Sequence, residues 1–277
     1  MGITTSAVIL STGRTGTMFF AHLLRELVPQ AEVYHEAGER SRLINIFTHA
    51  HLSGFLPMRA PLWAWKRAVA PNLLACSKEI YIDSNNQLYA LLTLAPDIYP
   101  GLRIIHLVRD PRDYVRSHIN WSRHRPKSFI ANYLTPFWQP NAWLLKEMPL
   151  TKWLRLTQFE RYSWIWNFKN RLIGQMEGSE IPYLRIRFED FFGSPEPLFH
   201  FNQLLEFLGL ATVSGIEAYF QHPVNPTKGK SFPKWRLWSQ VQCQQLDDFC
   251  GSTMAEYGYG KEQEWRGKLR SATKNTP

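Results

Sequence analysis

Ala7-Val8-Ile9-Leu10-Ser11-Thr12-Gly13-Arg14-Thr15-Gly16-Thr17-Met18 runs from a short apolar stretch into a glycine-rich turn. Phe20, Leu23, Leu24 and Leu27 then recur at helical spacing. The turn therefore lies where a buried strand hands over to a helix. Gly13 and Gly16 can take backbone angles closed to other residues, so successive loop N–H groups can point inward around an anion at the helix N-terminus. A phosphate or sulfate group is the natural occupant.

A nucleoside-triphosphate loop of this kind ends in Gly-Lys-Ser/Thr, with the lysine on the terminal phosphates and the hydroxyl on magnesium. Here Gly16 is followed by Thr17, and the loop's only cation is Arg14. A strand-to-helix turn with no ligand is the competing reading. A second motif favours the ligand. Leu102 to Val108 reads as another buried strand and runs into Arg109-Asp110-Pro111-Arg112-Asp113-Tyr114-Val115-Arg116-Ser117. Arg109 stands at the C-terminal end of that strand, the edge where open α/β sheets bind ligands. Pro111 suits the first turn of the next helix and Asp113 the positive end of its dipole. Ser117 falls about two turns into the helix, so a guanidinium and a hydroxyl can converge on a second phosphate.

With these two motifs the chain resembles the sulfotransferases that use 3'-phosphoadenosine-5'-phosphosulfate (PAPS), and is closer to their bacterial and carbohydrate-acting members than to the cytosolic small-molecule type. The resemblance implies that Gly13, Arg14, Thr15, Gly16, Thr17 and Met18 hold the 5'-phosphosulfate and that Arg109 and Ser117 hold the 3'-phosphate. Near the C-terminus, Lys228-Gly229-Lys230 followed by Trp235 loosely resembles the segment that closes over the 3'-phosphate and adenine; its spacing to the tryptophan is shifted, and Thr227 stands where an arginine is usual. The expected product is 3'-phosphoadenosine-5'-phosphate (PAP), and no metal is required.

Sulfuryl transfer asks for a clamp on the donor, a cation at the leaving phosphate and a base for the acceptor's proton. Arg14 is the expected cation. Ala31-Glu32-Val33-Tyr34-His35-Glu36 reads as a second strand ending in a His-Glu pair. Members of the resembled family carry a glutamate base at this place, so Glu36 is the first choice, with His35 and Asp83 in reserve. The alternative is that Glu36 only pairs with Arg40 or Arg42. Ser84 and Asn85 either touch the sulfuryl group or acceptor or cap the next helix. His106 reads as a packed residue within its strand.

Strand and helix signals alternate along the chain. Strands are expected at Ala7–Leu10, Ala31–His35, Glu79–Asp83, Arg103–Val108 and Tyr183–Arg187. Helices are expected at Thr17–Val28, Gln87–Ala95, Arg112–Trp121, Arg155–Met176 and Trp238–Tyr257. That order implies a single-domain α/β fold: a P-loop-like, three-layer α/β/α arrangement with a mostly parallel sheet of about five strands, helices on both faces and a helical, aromatic-rich lid. Residues 1–265 are read as this domain, 51–67 and 121–166 as lid-like insertions, and 266–277 as a basic, disordered tail.

The net charge of +9 over 277 residues suits an anionic donor. The basic residues are dispersed and no nucleic-acid-binding signature occurs, which argues against nucleic acid as partner. Cys76, Cys243 and Cys250 have neither metal-ligand spacing nor the density of a disulfide framework. No signal peptide or membrane-length apolar run is visible, so a cytoplasmic protein without stable membrane insertion, monomeric or homodimeric, is expected. The acceptor is read as a hydroxyl on a carbohydrate, a glycolipid or a small hydrophobic alcohol. Two other readings compete: an NTP-dependent small-molecule kinase, and a noncatalytic nucleotide-binding module.

Overall fold

Five strands form the sheet: β1 (Thr5–Leu10), β2 (Ala31–His35), β3 (Ile80–Ser84), β4 (Leu102–Val108) and β5 (Tyr183–Arg187), with β1, β3 and β4 mostly buried and the edge strands β2 and β5 mostly half-buried. They pair in parallel in the order β2-β3-β1-β4-β5. Side chains alternate across a strand. Val8 and Leu10 of β1 thus enter one apolar cluster, while Ala7 and Ile9 enter the other. A parallel sheet needs crossovers, and these cover both faces with helices. The structure is a computed structural model and describes residues 2–36, 41–127, 130, 134–220 and 231–273.

One face is covered by α1 (Thr17–Leu27), which buries Phe20, Leu23 and Leu24 as its spacing predicts. The other face holds α2 (Ser41–Leu52), α3 (Arg59–Ala75), α4 (Pro111–His124), α5 (Leu150–Arg155) and α6 (Gln158–Gly174). On the α1 side lie α7 (Phe188–Phe192) and α8 (Pro197–Phe207), whose Phe191, Phe201, Leu204 and Leu205 share its cluster. Finally α9 (Gln240–Glu256) and α10 (Gln263–Thr273) pack with α4 and α6, bringing Leu246, Cys250, Met254 and Trp265 into the larger cluster. No helix among the described residues is long and apolar enough to cross a membrane.

Several boundaries differ from expectation, each for a local reason. The helix expected at Gln87–Ala95 consists of 3-10 turns at Leu88–Ala90 and Leu92–Asp97; Asn85 Oδ1 already takes the Gln87 N–H, and Pro96 has no N–H to give. The long helix expected at Arg155–Met176 is α6, which starts three residues later at Gln158 because Thr157 and Glu160 form its capping box; the short α5 precedes it. Residues 51–67 are not a surface insertion throughout: α3 occupies part of them and Trp65 is fully buried, donating to Tyr99 Oη at 3.1 Å. Phe55 and Trp63 do stay exposed. In the 121–166 stretch Trp153, Trp164 and Trp166 belong to the core. Finally, residues 266–273 are helical rather than a disordered tail, since Lys268 Nζ donates to the carbonyls of Arg236 and Trp238 and Trp265 anchors the first turn in the core.

Candidate active site at the C-terminal edge of the sheet

His35 is level with Ser84 across the β2–β3 ladder, and Ser84 with Ile9 across β3–β1. The segments beginning at Ser11, Glu36 and Asn85 therefore leave the sheet side by side. Ser84 Oγ donates to the Thr17 carbonyl at 3.0 Å, and the Asn85 N–H donates to the Ile9 carbonyl at 3.0 Å. Ser84 Oγ thus braces the loop exit rather than capping a helix, while Asn85 Oδ1 takes the Gln87 N–H at the start of the next turn and its buried Nδ2 has no protein partner.

Within the loop Gly13, Arg14 and Gly16 all have left-handed backbones, with φ of 87°, 58° and 80°. The Ser11 hydroxyl accepts from the Gly13 N–H at 3.0 Å. Gly16 is the N-cap of α1 and brings no side chain to the free N–H groups of the first turn. A Cβ at Gly16 would also fall 3.1 Å from the Phe188 ring. Those amides and the helix dipole are open to an anion.

The two motifs meet here. Arg109 Nη1 donates to the Arg14 carbonyl at 2.6 Å, and Arg14 Nε donates to Ser117 Oγ at 3.3 Å. The Arg109 guanidinium lies over the Phe188 ring, 4.3 Å from its centroid, while Trp166 Nε1 holds the Arg109 carbonyl at 2.9 Å. Burial, then repulsion from Arg109 and Arg125, lowers the Arg14 pKa. None of these three arginines forms an ion pair with a carboxylate among the described residues. Like charges gathered without counterions make an anion site.

Glu36 follows β2 at φ 44°, a left-handed position unusual for a side-chain-bearing residue, and its N–H donates to the Ser84 carbonyl at 3.2 Å. It forms no ion pair with Arg42, whose guanidinium lies over the Trp138 ring at 5.9 Å; Arg40 is outside the described residues. His35 Nδ1 is 3.0 Å from the Ser84 carbonyl. A carbonyl only accepts, so Nδ1 carries the proton and the neutral ring can accept at Nε2. Asp83, by contrast, is 3% exposed and accepts from Tyr99 Oη at 3.0 Å.

Burial pushes the Asp83 carboxyl up to about 7, against the pull of the Tyr99 hydroxyl and the Asn85 amide and with a smaller push from Glu36. Its folded pKa exceeds the unfolded value, so the folded state binds the proton more tightly. The associated stability is complete below 3.8 and is lost by about 1.4 kcal/mol per unit as pH rises towards about 7. In thermal melts across that range, Asp83→Asn should remove this decline and gain on the wild type as pH increases. Parallel pH curves for the two proteins would contradict it.

The histidines divide. His106, fully buried between Tyr183 Oη at 2.6 Å and Asn170 Oδ1 at 2.9 Å, is the packed residue its strand position predicts, and burial pushes it down to about 3. His118 lies between the rings of Tyr114 and Tyr162. Its burial, with Arg14, Lys169 and Arg109 nearby, holds it neutral. Lys169 of α6 carries no motif, and a lone lysine in an aromatic helix gives no sequence signal. Lys228, Gly229 and Lys230 lie outside the described residues. Trp235 is a core side chain, stacked 4.6 Å from the Arg112 guanidinium.

Among solved structures, the chain is similar to a sulfotransferase from Alicyclobacillus acidocaldarius, with 14% identity and a TM-score of 0.52 over 95% of this chain and 98% of that one. It is also similar to a sulfotransferase from Mycobacterium avium, with 11% identity and a TM-score of 0.57 over 94% of this chain and 78% of that one. No family model and no curated protein matches the sequence. Its five-stranded parallel sheet and surrounding helices give this chain the P-loop-like fold of these bacterial sulfotransferases.

Proposed function

We propose that this protein transfers the sulfuryl group of PAPS to a hydroxyl of a carbohydrate, a glycolipid or a small hydrophobic alcohol. The observation that carries the reading is the convergence of Arg14, Arg109 and Ser117 beside the β1–α1 loop, with no carboxylate paired to either arginine among the described residues. Buried polar atoms without a protein partner fit a polyanionic ligand: the hydroxyls of Thr12 and Thr15, Arg109 Nε and His118 Nε2.

PAPS supplies an activated sulfuryl group on a phosphate leaving group. In this reading the loop from Gly13 to Met18 holds the 5' end through its amides, and Arg109 and Ser117 hold the 3'-phosphate. Glu36 takes the proton of the acceptor hydroxyl. Fixed donors and cations act most where charge builds up on the leaving oxygen, so positioning and electrostatics carry the rate.

Arg109→Ala should weaken PAP binding by about 2–4 kcal/mol, since it removes a charge-assisted contact from a partly buried site. Unchanged affinity by calorimetry would take the 3'-phosphate away from Arg109. The function itself is tested by calorimetry of the wild-type protein with PAP, beside adenosine-5'-phosphosulfate and ATP with magnesium. Micromolar binding of PAP alone supports the donor assignment, and labelled PAPS then serves to screen acceptors. Binding of ATP with magnesium, or of none of them, returns the chain to the kinase or noncatalytic reading.

A further inference from the structure

Helix α6 turns one face towards the phosphate-binding residues. Tyr162 packs on His118 with ring centroids 4.8 Å apart, and Trp166, one turn later, holds the Arg109 carbonyl at 2.9 Å. Lys169 comes next on that face, because residues three and four apart on a helix are neighbours. Its Nζ lies 4.7 Å from the centroid of the Tyr89 ring. Tyr89 is itself fixed by a hydrogen bond to His49 Nε2 and an edge contact with Phe168.

The lysine is half-buried, yet among the described residues its ammonium has neither an ion-pair partner nor a hydrogen-bond acceptor. An ammonium with no protein acceptor is free to pair with an anionic ligand. Burial pushes its pKa down to about 8, with Glu36 acting the other way, so Lys169 stands within electrostatic reach of the proposed base. His118 feels both Lys169 and Arg14. Arg14, meanwhile, is turned to Ser117 on the side assigned to the 3'-phosphate. The interval between the nucleotide clamp and Glu36 is where the transferred group has to pass.

Building on the sulfotransferase reading, we propose that Lys169 binds the oxygens of the sulfuryl group during transfer, between the loop amides and α6. In that step the S–O bond to the 5'-phosphate breaks and leaves its electron pair on the phosphate oxygen. The acceptor oxygen forms the new S–O bond and its proton goes to Glu36; nothing is oxidised or reduced. A cation at the sulfuryl oxygens also steers the group in line, the main requirement of such transfers.

PAPS and PAP differ only by this group, so the test needs no acceptor. Both ligands are titrated into the wild-type protein, Lys169→Gln and Lys169→Arg. Lys169→Gln should weaken PAPS about tenfold or more and leave PAP within about twofold, and Lys169→Arg should restore most of the loss. Unchanged PAPS affinity in Lys169→Gln overturns the proposal, as does an equal loss for both ligands, which is what a damaged fold or a nucleotide contact would give. Failure of the wild-type protein to bind PAP removes the sulfotransferase reading itself, and this inference with it.

Discussion

Glu36→Gln should lower turnover by about 10²–10⁴-fold, the range of a lost general base, while PAP affinity stays within about twofold. Gln keeps the size and the hydrogen-bonding reach of Glu but cannot take a proton at neutral pH. A loss confined to turnover with donor binding intact is the sign of an interaction made in the transition state. The backbone at Glu36 supports this assignment. A left-handed residue with a side chain is held at a cost of about 1–2 kcal/mol, and here the Ser84 carbonyl fixes it next to the strand tip. Full turnover of Glu36→Gln on labelled PAPS would transfer the role to His35, whose Nε2 is the remaining acceptor, and His35→Gln would then show the loss.

Arg112→Met should destabilise the protein by about 3–5 kcal/mol, as expected when one partner of a buried ion pair is removed. The Arg112 side chain is 2% exposed and bonds the Asp110 carboxylate through Nε at 2.9 Å and Glu262 through Nη1 at 3.1 Å. The indole rings of Trp235 and Trp265 lie against it, 4.6 and 5.1 Å away. Met fills much of the volume but leaves the Asp110 carboxylate, mostly buried, without its charge partner. Urea denaturation measures the loss; a change under about 1 kcal/mol would place the pair with ordinary surface ion pairs. Under folding conditions Arg112→Met should still bind PAP with an affinity near that of the wild type, because this guanidinium faces the helices and not the cleft. The Arg109→Ala and Arg112→Met variants thus separate two arginines three positions apart, one proposed to contact the 3'-phosphate and the other bonded within the fold.

Local sequence determined much of this. The mainly apolar runs at Ala7–Leu10 and Leu102–Val108 define strands because a strand buried on both faces needs near-continuous apolar character, and the alternation of Ala31, Val33 and His35 with Glu32 and Tyr34 fits an edge strand. The glycines at 13 and 16 mark the turn between β1 and α1 because few other residues take the left-handed backbone it requires. Asp110 and Pro111 mark the start of α4, where a cap and a preset φ are both favoured. These signals lie within a few residues of each other, so they are legible without knowing the rest of the fold.

Contacts between distant segments were settled only by packing. The sequence contains both arginines of Arg109-Asp110-Pro111-Arg112, but Glu262, Trp235 and Trp265 arrive from the far end of the chain to make Arg112 structural. Asp83 is one residue from Ser84 in sequence, yet the sheet and Tyr99 bury it beneath the edge that Glu36 occupies. Helix α3 has Pro71 in its interior, a residue that argues against a helix locally; its burial of Trp65 and Ala68 outweighs that penalty. Lys169 has no pattern around it and gains its place from the face of α6 that packs on α4. Strand, turn and cap preferences are short-range free energies written into neighbouring residues, whereas burial and charge pairing depend on which segments meet.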